Sequence, residues 1–302
     1  MPRTELYLTE KQEAIFSNLK KQMEKIFKHC RIGSISTRRR YLRGVLRFCR
    51  YLAKEFRMQK FANVSDKHLN SYIEFLQSNK TRKYITTELS AIRFFHDQIQ
   101  RPRFILSPNE LLNLDVTPKV KINRKWTKNE FEYMIQKGYD LNRDNIAVIM
   151  TIARYTGARI HEIIRLDRAT IERALRKRTL RLKGKGGKER DIPDVDEFLI
   201  ELLSKWIKKI PRGKKIFVDE KQQAHQVKKS VQNFIYRHRI KKHMRQEGYR
   251  HAEMTFHGIR HMYAAEKHKE FCSQGFSEKE ANLMVSRLLG HEREEVTDLY
   301  RT

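Results

Sequence analysis

The sequence predicts a mainly α-helical protein, with an all-α N-terminal domain and a mixed α+β C-terminal domain that contains a small β-hairpin sheet. Three observations predict this class. Apolar residues recur at spacings of three and four over several long segments, which is the pattern of amphipathic helices. Residues 100–126 contain three of the six prolines and lack this periodicity, so they are predicted to separate two domains. Residues 179–193 alternate around a Gly-Lys-Gly-Gly tip, which predicts a hairpin.

The N-terminal domain is predicted to contain four helices, at about 8–29, 36–56, 66–78 and 84–99. The second of these helices has one apolar face and one basic face. No acidic residue lies between Ser36 and Lys54, so the basic face would repel itself unless an anion bound it; a solvated surface is the alternative interpretation. The arginines that we expect to bind a polyanion are Arg38, Arg39, Arg43, Arg47 and Arg50 on this helix, and Arg93 on the fourth.

The C-terminal domain is predicted to start near Thr127. Thr127 and Glu130 have the spacing of a capping box, which opens a helix. A second helix, at about 143–156, ends at Gly157; the hairpin follows, and the chain is again mostly helical from about 196. The predicted boundaries are therefore 1–113 for the first domain, 114–126 for the linker and 127–302 for the second domain.

The composition predicts a polyanionic partner. The 302 residues include 65 lysines and arginines against 36 acidic residues, a formal net charge of +29. This surplus is too large for solubility alone and favours DNA or RNA over an anionic membrane. The chain has no apolar leader and no run of about 18 apolar residues. Its three cysteines have no CxxC spacing, so we expect a soluble cytoplasmic protein without membrane contacts, disulfides or zinc.

The sequence also lacks the usual motifs of metal-dependent phosphodiester hydrolysis: it has no P-loop, no carboxylate cluster and no HExxH. His257 and His261 have the spacing of half a metal site, but Arg260 between them would repel a cation. The remaining arginines, lysines, histidines and tyrosines suit a metal-free phosphoryl transfer. In such a transfer, cations stabilise the phosphorane and a protonated group assists the leaving oxygen. We therefore expect no metal and no cofactor.

Five segments, in order along the chain, resemble the catalytic domain of the tyrosine recombinase and integrase family, which includes the Xer recombinases, Cre and phage integrases. They are Thr156–Ile163 (TGARIHEI), Gly184–Arg190 (GKGGKER), His257–His261 (HGIRH), Leu288–His291 (LLGH) and Tyr300, nine positions after His291. Ile259 is a mild departure from the leucine that is usual in the third segment. The ordered set of matches is much more specific than any single one.

The resemblance implies roles for the charged residues of these segments. Arg159 and Arg260 would bind the non-bridging oxygens of the scissile phosphate, and Lys185 would protonate the leaving 5′ oxygen. His257 would be a hydrogen-bonding or acid–base partner, and His291 would donate to the phosphate. Arginine suits its role because its planar fork can donate to two oxygens at once.

The resemblance also implies that Tyr300 is the nucleophile. Attack by its phenol would leave a 3′-phosphotyrosyl link and a free 5′ hydroxyl, without metal or ATP. Because the bond energy is kept, it can be returned to a different DNA strand. His261 stays outside the implied catalytic set, since in the family it is structural as much as chemical.

The N-terminal domain is similar to the family's core-binding domain, through its basic helix and the segment Tyr84–Gln98 (YITTELSAIRFFHDQ). In the family, this domain grips the DNA face opposite to the catalytic domain. The resemblance therefore implies a double-stranded DNA recombination site as the partner and a homotetramer on synapsed DNA. We expect a monomer in free solution, and a cytoplasmic protein that is associated with the nucleoid when it binds DNA.

The end of the chain adds one expectation. Tyr300 lies two residues before Thr302, whereas relatives usually continue into a helix that docks into a neighbouring protomer. Either the natural protein uses another contact, or this chain is a shortened version of a longer one, which we favour. In both cases we expect cleavage to outpace complete recombination. Two other functions remain open at this point: a type IB topoisomerase, which has similar chemistry, and a non-catalytic DNA-binding regulator with the same fold.

Overall fold

The structure is a computed structural model that describes residues 6–114, 123–184, 187–240 and 253–290. The chain divides into two compact units, Met1–Lys119 and Val120–Thr302. Both units are built mainly of helices, and the second contains a two-stranded antiparallel sheet, so the predicted fold class is confirmed. Among the described helices, none is long and apolar enough to cross a membrane.

The described residues of the first unit, 6–114, form four α-helices around one apolar core. They are α1 (Glu10–His29), α2 (Ile35–Glu55), α3 (Asp66–Gln77) and α4 (Arg82–His96), with short 3₁₀ turns at Phe61–Asn63 and Asn109–Leu111. Helix α1 begins with a capping box, in which Thr9 and Gln12 satisfy each other's backbone N–H groups. Helix α2 packs against both α1 and α4. Its buried Phe48 lies 5.0 Å, between ring centroids, from Tyr72 of α3.

The second unit contains eight described α-helices and the hairpin. The helices are α5 (Lys128–Asp140), α6 (Asp144–Thr156), α7 (Ile160–Ile164), α8 (Arg168–Lys177), α9 (Glu197–Ile207), α10 (Ala224–His238), α11 (Phe256–Ser273) and α12 (Glu278–Leu289). Strands β1 (Leu180–Lys183) and β2 (Glu189–Ile192) pair with Leu182 opposite Arg190. The predicted capping box of Thr127 and Glu130 does open α5.

Helix α6 forms the centre of the second core. All residues from Ile146 to Ala153 are buried, as expected for a helix that other elements cover on every side. Helices α5, α7, α9 and α11 pack against it. This arrangement brings the end of α6, the start of α7 and the start of α11 together, and these three places carry the first and third recombinase-like segments.

Trp126 belongs to this core, although the sequence assigned it to the linker. Its side chain is only 1% exposed, and its indole N–H donates to the carbonyl of Thr255 at 3.0 Å. Gly258, in the first turn of α11, makes room for the indole: a Cβ at that position would lie 2.4 Å from Trp126 Cδ1. The contact fixes the beginning of α11, where His257 and Arg260 are located.

Candidate active site

Gly157 sets the direction of the chain between α6 and α7. It ends α6 in the left-handed region, at φ 60°, where a residue without a side chain is favoured. Space is also restricted, because a Cβ here would lie 2.5 Å from Cδ1 of Tyr263. The sharp turn makes Arg159, two residues later, the N-cap of α7.

Arg159 is held by Glu162, one helical turn further on. The Arg159 backbone N–H donates to Glu162 Oε2 at 2.8 Å, and its Nη1 donates to Oε1 at 3.0 Å. The arginine side chain is 34% exposed, whereas the glutamate is 1% exposed. Glu162 belongs to the first recombinase-like segment, but no role was predicted for it. Its contacts show that it supports Arg159.

The carboxyl group of Glu162 is ionised at neutral pH. Burial raises its pKa, but the charge of Arg190 and the hydrogen bonds from Arg159 and Arg190 outweigh burial and lower the pKa to about 2. A buried charge of this kind is stable only when it is paired and hydrogen-bonded. Both of its oxygens are satisfied in this way, so the orientation of Arg159 does not depend on pH in the neutral range.

Arg260 joins the ends of two helices. It is 1% exposed, in the second turn of α11. Its guanidinium donates through Nη1 to the carbonyl of Gly157 and through Nη2 to the carbonyl of Leu289 at 2.7 Å. The structure thus brings together the TGAR, HGIR and LLG parts of three segments that are far apart in sequence. His291 and Tyr300, which complete the predicted set, lie outside the described residues.

A cavity of about 400 Å³ opens beside these groups. Its wall includes Arg159, His257 and Arg260, together with four residues that the sequence analysis did not select: His161, Lys228, Tyr236 and Arg239. Four lining side chains are cationic, and no aspartate or glutamate is among the described residues that line the cavity. Such a site attracts a phosphate group and can donate several charge-assisted hydrogen bonds to it.

His257 is neutral in this environment at physiological pH. Its pKa is lowered to about 4, first by desolvation and then by the positive charges of Arg260, Arg124 and Arg159. Its ring lies edge-on to that of His261, with 5.0 Å between centroids. A neutral imidazole can accept a proton or a hydrogen bond, which fits the acid–base role that the resemblance implied.

We expect DNA to raise the pKa of His257, because a bound phosphate opposes the nearby positive charges. In the free protein, NMR should show this ring titrating near pH 4, and a His257→Gln variant should lack the signal. Between pH 6.5 and 4 the unfolded chain binds the proton and the folded chain does not. The titration of His257 therefore lowers the free energy of unfolding as the pH falls through that window. A titration near 6.5 without DNA would contradict this account of the site.

The hairpin lies against the same part of the molecule. Gly184 N–H donates to the carbonyl of Lys188 at 2.7 Å and closes the turn, and strand β2 places Arg190 within 2.8 Å of Glu162. Lys185, the predicted general acid, lies outside the described residues. Among the described residues, no group of three or more histidines, cysteines and acidic residues is arranged to hold a metal ion.

The basic face of α2 requires a correction. Arg38 is 8% exposed, donates to the carbonyl of Cys30 and lies over the ring of Phe27, so its guanidinium is a packing group. Arg93 also serves the fold, since its guanidinium donates to Ser107 and Asn109.

Two further arginines of this set have acidic partners that a local reading of the sequence missed. Arg47 pairs with buried Glu88 of α4 at 2.5 Å, and Arg50 pairs with Glu13 of α1 at 2.6 Å. Carboxylates of the neighbouring helices therefore relieve part of the expected self-repulsion. Arg39 and Arg43 are exposed, and no ion pair to a described carboxylate involves either of them.

Comparison with known proteins agrees with this geometry. The profile of the phage integrase family matches residues 125–302, and that of the phage integrase N-terminal SAM-like domain matches residues 23–101. A tyrosine recombinase XerC of Vibrio vulnificus is 28% identical over 225 residues, which are 72% of this chain and 65% of that protein. The match thus spans slightly less than two thirds of the relative's length.

Solved structures share the fold. The XerH site-specific recombinase bound to difH substrate, in a pre-cleavage complex, has a TM-score of 0.61 and 17% identity, over 99% of this chain and 87% of that one. A lambda integrase tetramer bound to a Holliday junction has a TM-score of 0.66 and 14% identity, over 95% and 76%. Since the phage integrase profile covers more than half of the chain and includes all five predicted segments, this protein belongs to the phage integrase family and is a tyrosine recombinase.

Proposed function

We propose that this tyrosine recombinase is a site-specific enzyme that cuts duplex DNA by attack of Tyr300 on a scissile phosphate and rejoins it to a different strand. The observation that carries the proposal is the convergence of Arg159, Arg260 and neutral His257 on one cavity lined by cations. A phosphodiester in the cavity gains negative charge on its non-bridging oxygens in the transition state. Arg159 and Arg260 are the groups that we propose to stabilise that charge.

The proposed steps balance without an external energy source. The Tyr300 oxygen forms a bond to phosphorus as the bond to the 5′ oxygen breaks. His257 is the proposed acceptor of the phenol proton, and Lys185 the proposed donor to the leaving oxygen. His291 would add a hydrogen bond to the phosphate. Attack of a 5′ hydroxyl from a partner strand reverses these transfers and releases the tyrosine.

The partner and assembly follow from the relatives. The named structures contain a recombination substrate and a Holliday junction, the latter with a tetramer. We therefore propose that this chain binds a duplex recombination site and forms a homotetramer on synapsed DNA. We also propose that it is monomeric in free solution, in the cytoplasm. Exposed Arg39 and Arg43 are the proposed phosphate contacts of the first unit. The topoisomerase and regulator alternatives are not favoured, since the matched family and relatives are recombinases.

The test is a covalent trap on a selected site. Random-sequence duplexes retained by the protein would define the site, and nicked versions of it would let the 5′ fragment diffuse away after cleavage. We expect an adduct that survives SDS, and a Tyr300 peptide that carries the 3′-phosphoryl end. Absence of an adduct with nicks on either strand would contradict recombinase chemistry.

A second assay separates recombination from topoisomerase activity. Plasmids that carry two copies of the selected site should give exchanged products, and plasmids without the site should stay supercoiled. Equal relaxation of both plasmids, with no exchange, would indicate a topoisomerase instead.

A further inference from the structure

Arg190 occupies a central place that the roles proposed above do not use. It lies on β2, opposite Leu182, and its side chain is only 13% exposed. Nη2 donates to Glu162 Oε2 at 2.8 Å, and Nη1 donates to the carbonyl of Leu288, in the last turn of α12. One guanidinium therefore connects the hairpin, α7 and α12.

The connection continues to Arg159 through one shared carboxylate. Glu162 accepts from Arg190 on Oε2 and from Arg159 on both oxygens, so that the two arginines are bound to the same buried group. A displacement of Arg190 that shifts Glu162 therefore also shifts the carboxylate that holds Arg159 in place. Because Glu162 is 1% exposed, water is excluded from its carboxylate, and these hydrogen bonds are stronger than they would be in solvent.

Gly290 leaves the space that Arg190 needs. A Cβ at Gly290 would lie 2.7 Å from Cδ of Arg190, closer than atoms can approach without a shift. Gly290 follows α12 in the left-handed region, at φ 62°, and precedes His291 in the sequence. The arginine stem therefore packs directly on the backbone that leads into His291.

We propose that Arg190 is a positioning residue for the cleavage step. It fixes β2 and the end of α12 relative to Arg159, through Glu162. Lysine would keep the charge but lacks the planar fork that reaches two acceptors in fixed directions. The inference rests on the proposed function, because it assigns Arg190 to the geometry of phosphate binding by Arg159.

The alternative is that this ion pair only stabilises the fold, and the experiment separates the two roles by the chemistry of the substrate. The selected nicked site would be prepared with an ordinary scissile phosphodiester and with either isomer of a methylphosphonate, in which a methyl group replaces a non-bridging oxygen. The methylphosphonate carries no negative charge. It therefore depends less on an arginine that neutralises the phosphate.

We expect Arg190→Gln to slow cleavage of the phosphodiester by about 10- to 100-fold, as for a misplaced catalytic group. On one methylphosphonate isomer, the wild-type and Arg190→Gln rates should differ by no more than about threefold. The defect of Arg159→Ala should decrease on that isomer in the same way. Arg190→Lys should be intermediate. The matched control is Arg181→Gln, since Arg181 lies on the same hairpin and pairs with Asp191 at 2.9 Å, but is exposed. The Arg181→Gln variant should cleave both substrates at the wild-type rate.

Equal defects of Arg190→Gln on the two substrates would overturn the proposal and leave a structural role. An undiminished rate on the phosphodiester would overturn it as well. Wild-type protein that forms no adduct at all would instead refute the proposed function itself, so the two failures are distinguishable.

Loss of Arg190 removes the more deeply buried of the two cations beside Glu162 and also the donor to the Leu288 carbonyl, which can prevent folding. A double variant, Glu162→Gln with Arg190→Gln, removes both charges and is compared in the same way. If Arg190 acts through Glu162, the double variant should cleave the phosphodiester at the same rate as the slower of the two single variants. A defect equal to the product of the Glu162→Gln and Arg190→Gln defects would show independent action and overturn the proposal.

Discussion

Replacing Tyr300 by phenylalanine is expected to abolish the covalent protein–DNA adduct. Phenylalanine has no oxygen that can bond to phosphorus, so the loss should be complete, and rates should fall below detection. Affinity for the selected site should stay within about threefold, because one hydroxyl among many phosphate contacts contributes little to binding. The adduct would be measured on SDS gels with the nicked duplex.

The chain offers two matched controls for this experiment. Tyr236 lines the cavity and is largely exposed, so Tyr236→Phe tests whether another phenol in reach of the phosphate can attack. Tyr263 is buried, and burial raises its pKa to about 12, which makes it a poor nucleophile. The Tyr236→Phe and Tyr263→Phe variants should both form the adduct. An adduct in Tyr300→Phe that disappears in Tyr236→Phe would move the nucleophile to α10.

In the proposed mechanism, the cavity would also help a phenol to react near neutral pH. A free tyrosine with a pKa of about 10 is only about one thousandth ionised at pH 7. The cationic wall favours the phenolate, and neutral His257 can take the proton. In the proposed mechanism, the same charges would attract the phosphate and activate Tyr300.

The sequence predicted the parts of this site that depend on local patterns. The β-hairpin, the helix that ends at Gly157 and the capping box at Thr127 each rest on residues within a few positions of one another, and all three are present. The ordered motifs also selected Arg159 and Arg260, and the structure places both in the wall of one cavity.

Contacts between distant segments could not be predicted in this way. Counting charges along α2 missed Glu88, which lies 41 residues after Arg47. The pair of Glu162 and Arg190 spans 28 residues, and no local pattern connects them. Trp126 looked like a linker residue, because its partner Thr255 lies 129 residues later.

Replacing Arg159 by alanine is expected to reduce cleavage by about 10²–10⁴, while DNA affinity stays within about tenfold, because its bonds to phosphate strengthen in the transition state. The fold should survive the change. The Arg159 side chain is 34% exposed, and Glu162 keeps its 2.8 Å bond to Arg190, so no carboxylate is left buried without a cation. Single-turnover cleavage and equilibrium binding would be measured on the same duplex, with urea unfolding as a check of the fold.

Two further variants show which property of Arg159 matters. Arg159→Lys keeps the charge but loses the fork, and we expect it to recover less than a tenth of the lost rate. Arg176→Ala removes an equal charge from the exposed end of α8, outside the cavity lining, and should leave cleavage unchanged. If Arg159→Ala instead weakened binding and cleavage by the same factor, the arginine would hold the DNA equally in the ground state. Since Glu162 holds Arg159 at a cavity that three other cationic side chains line, we expect DNA binding to persist and the cleavage step to bear most of the loss.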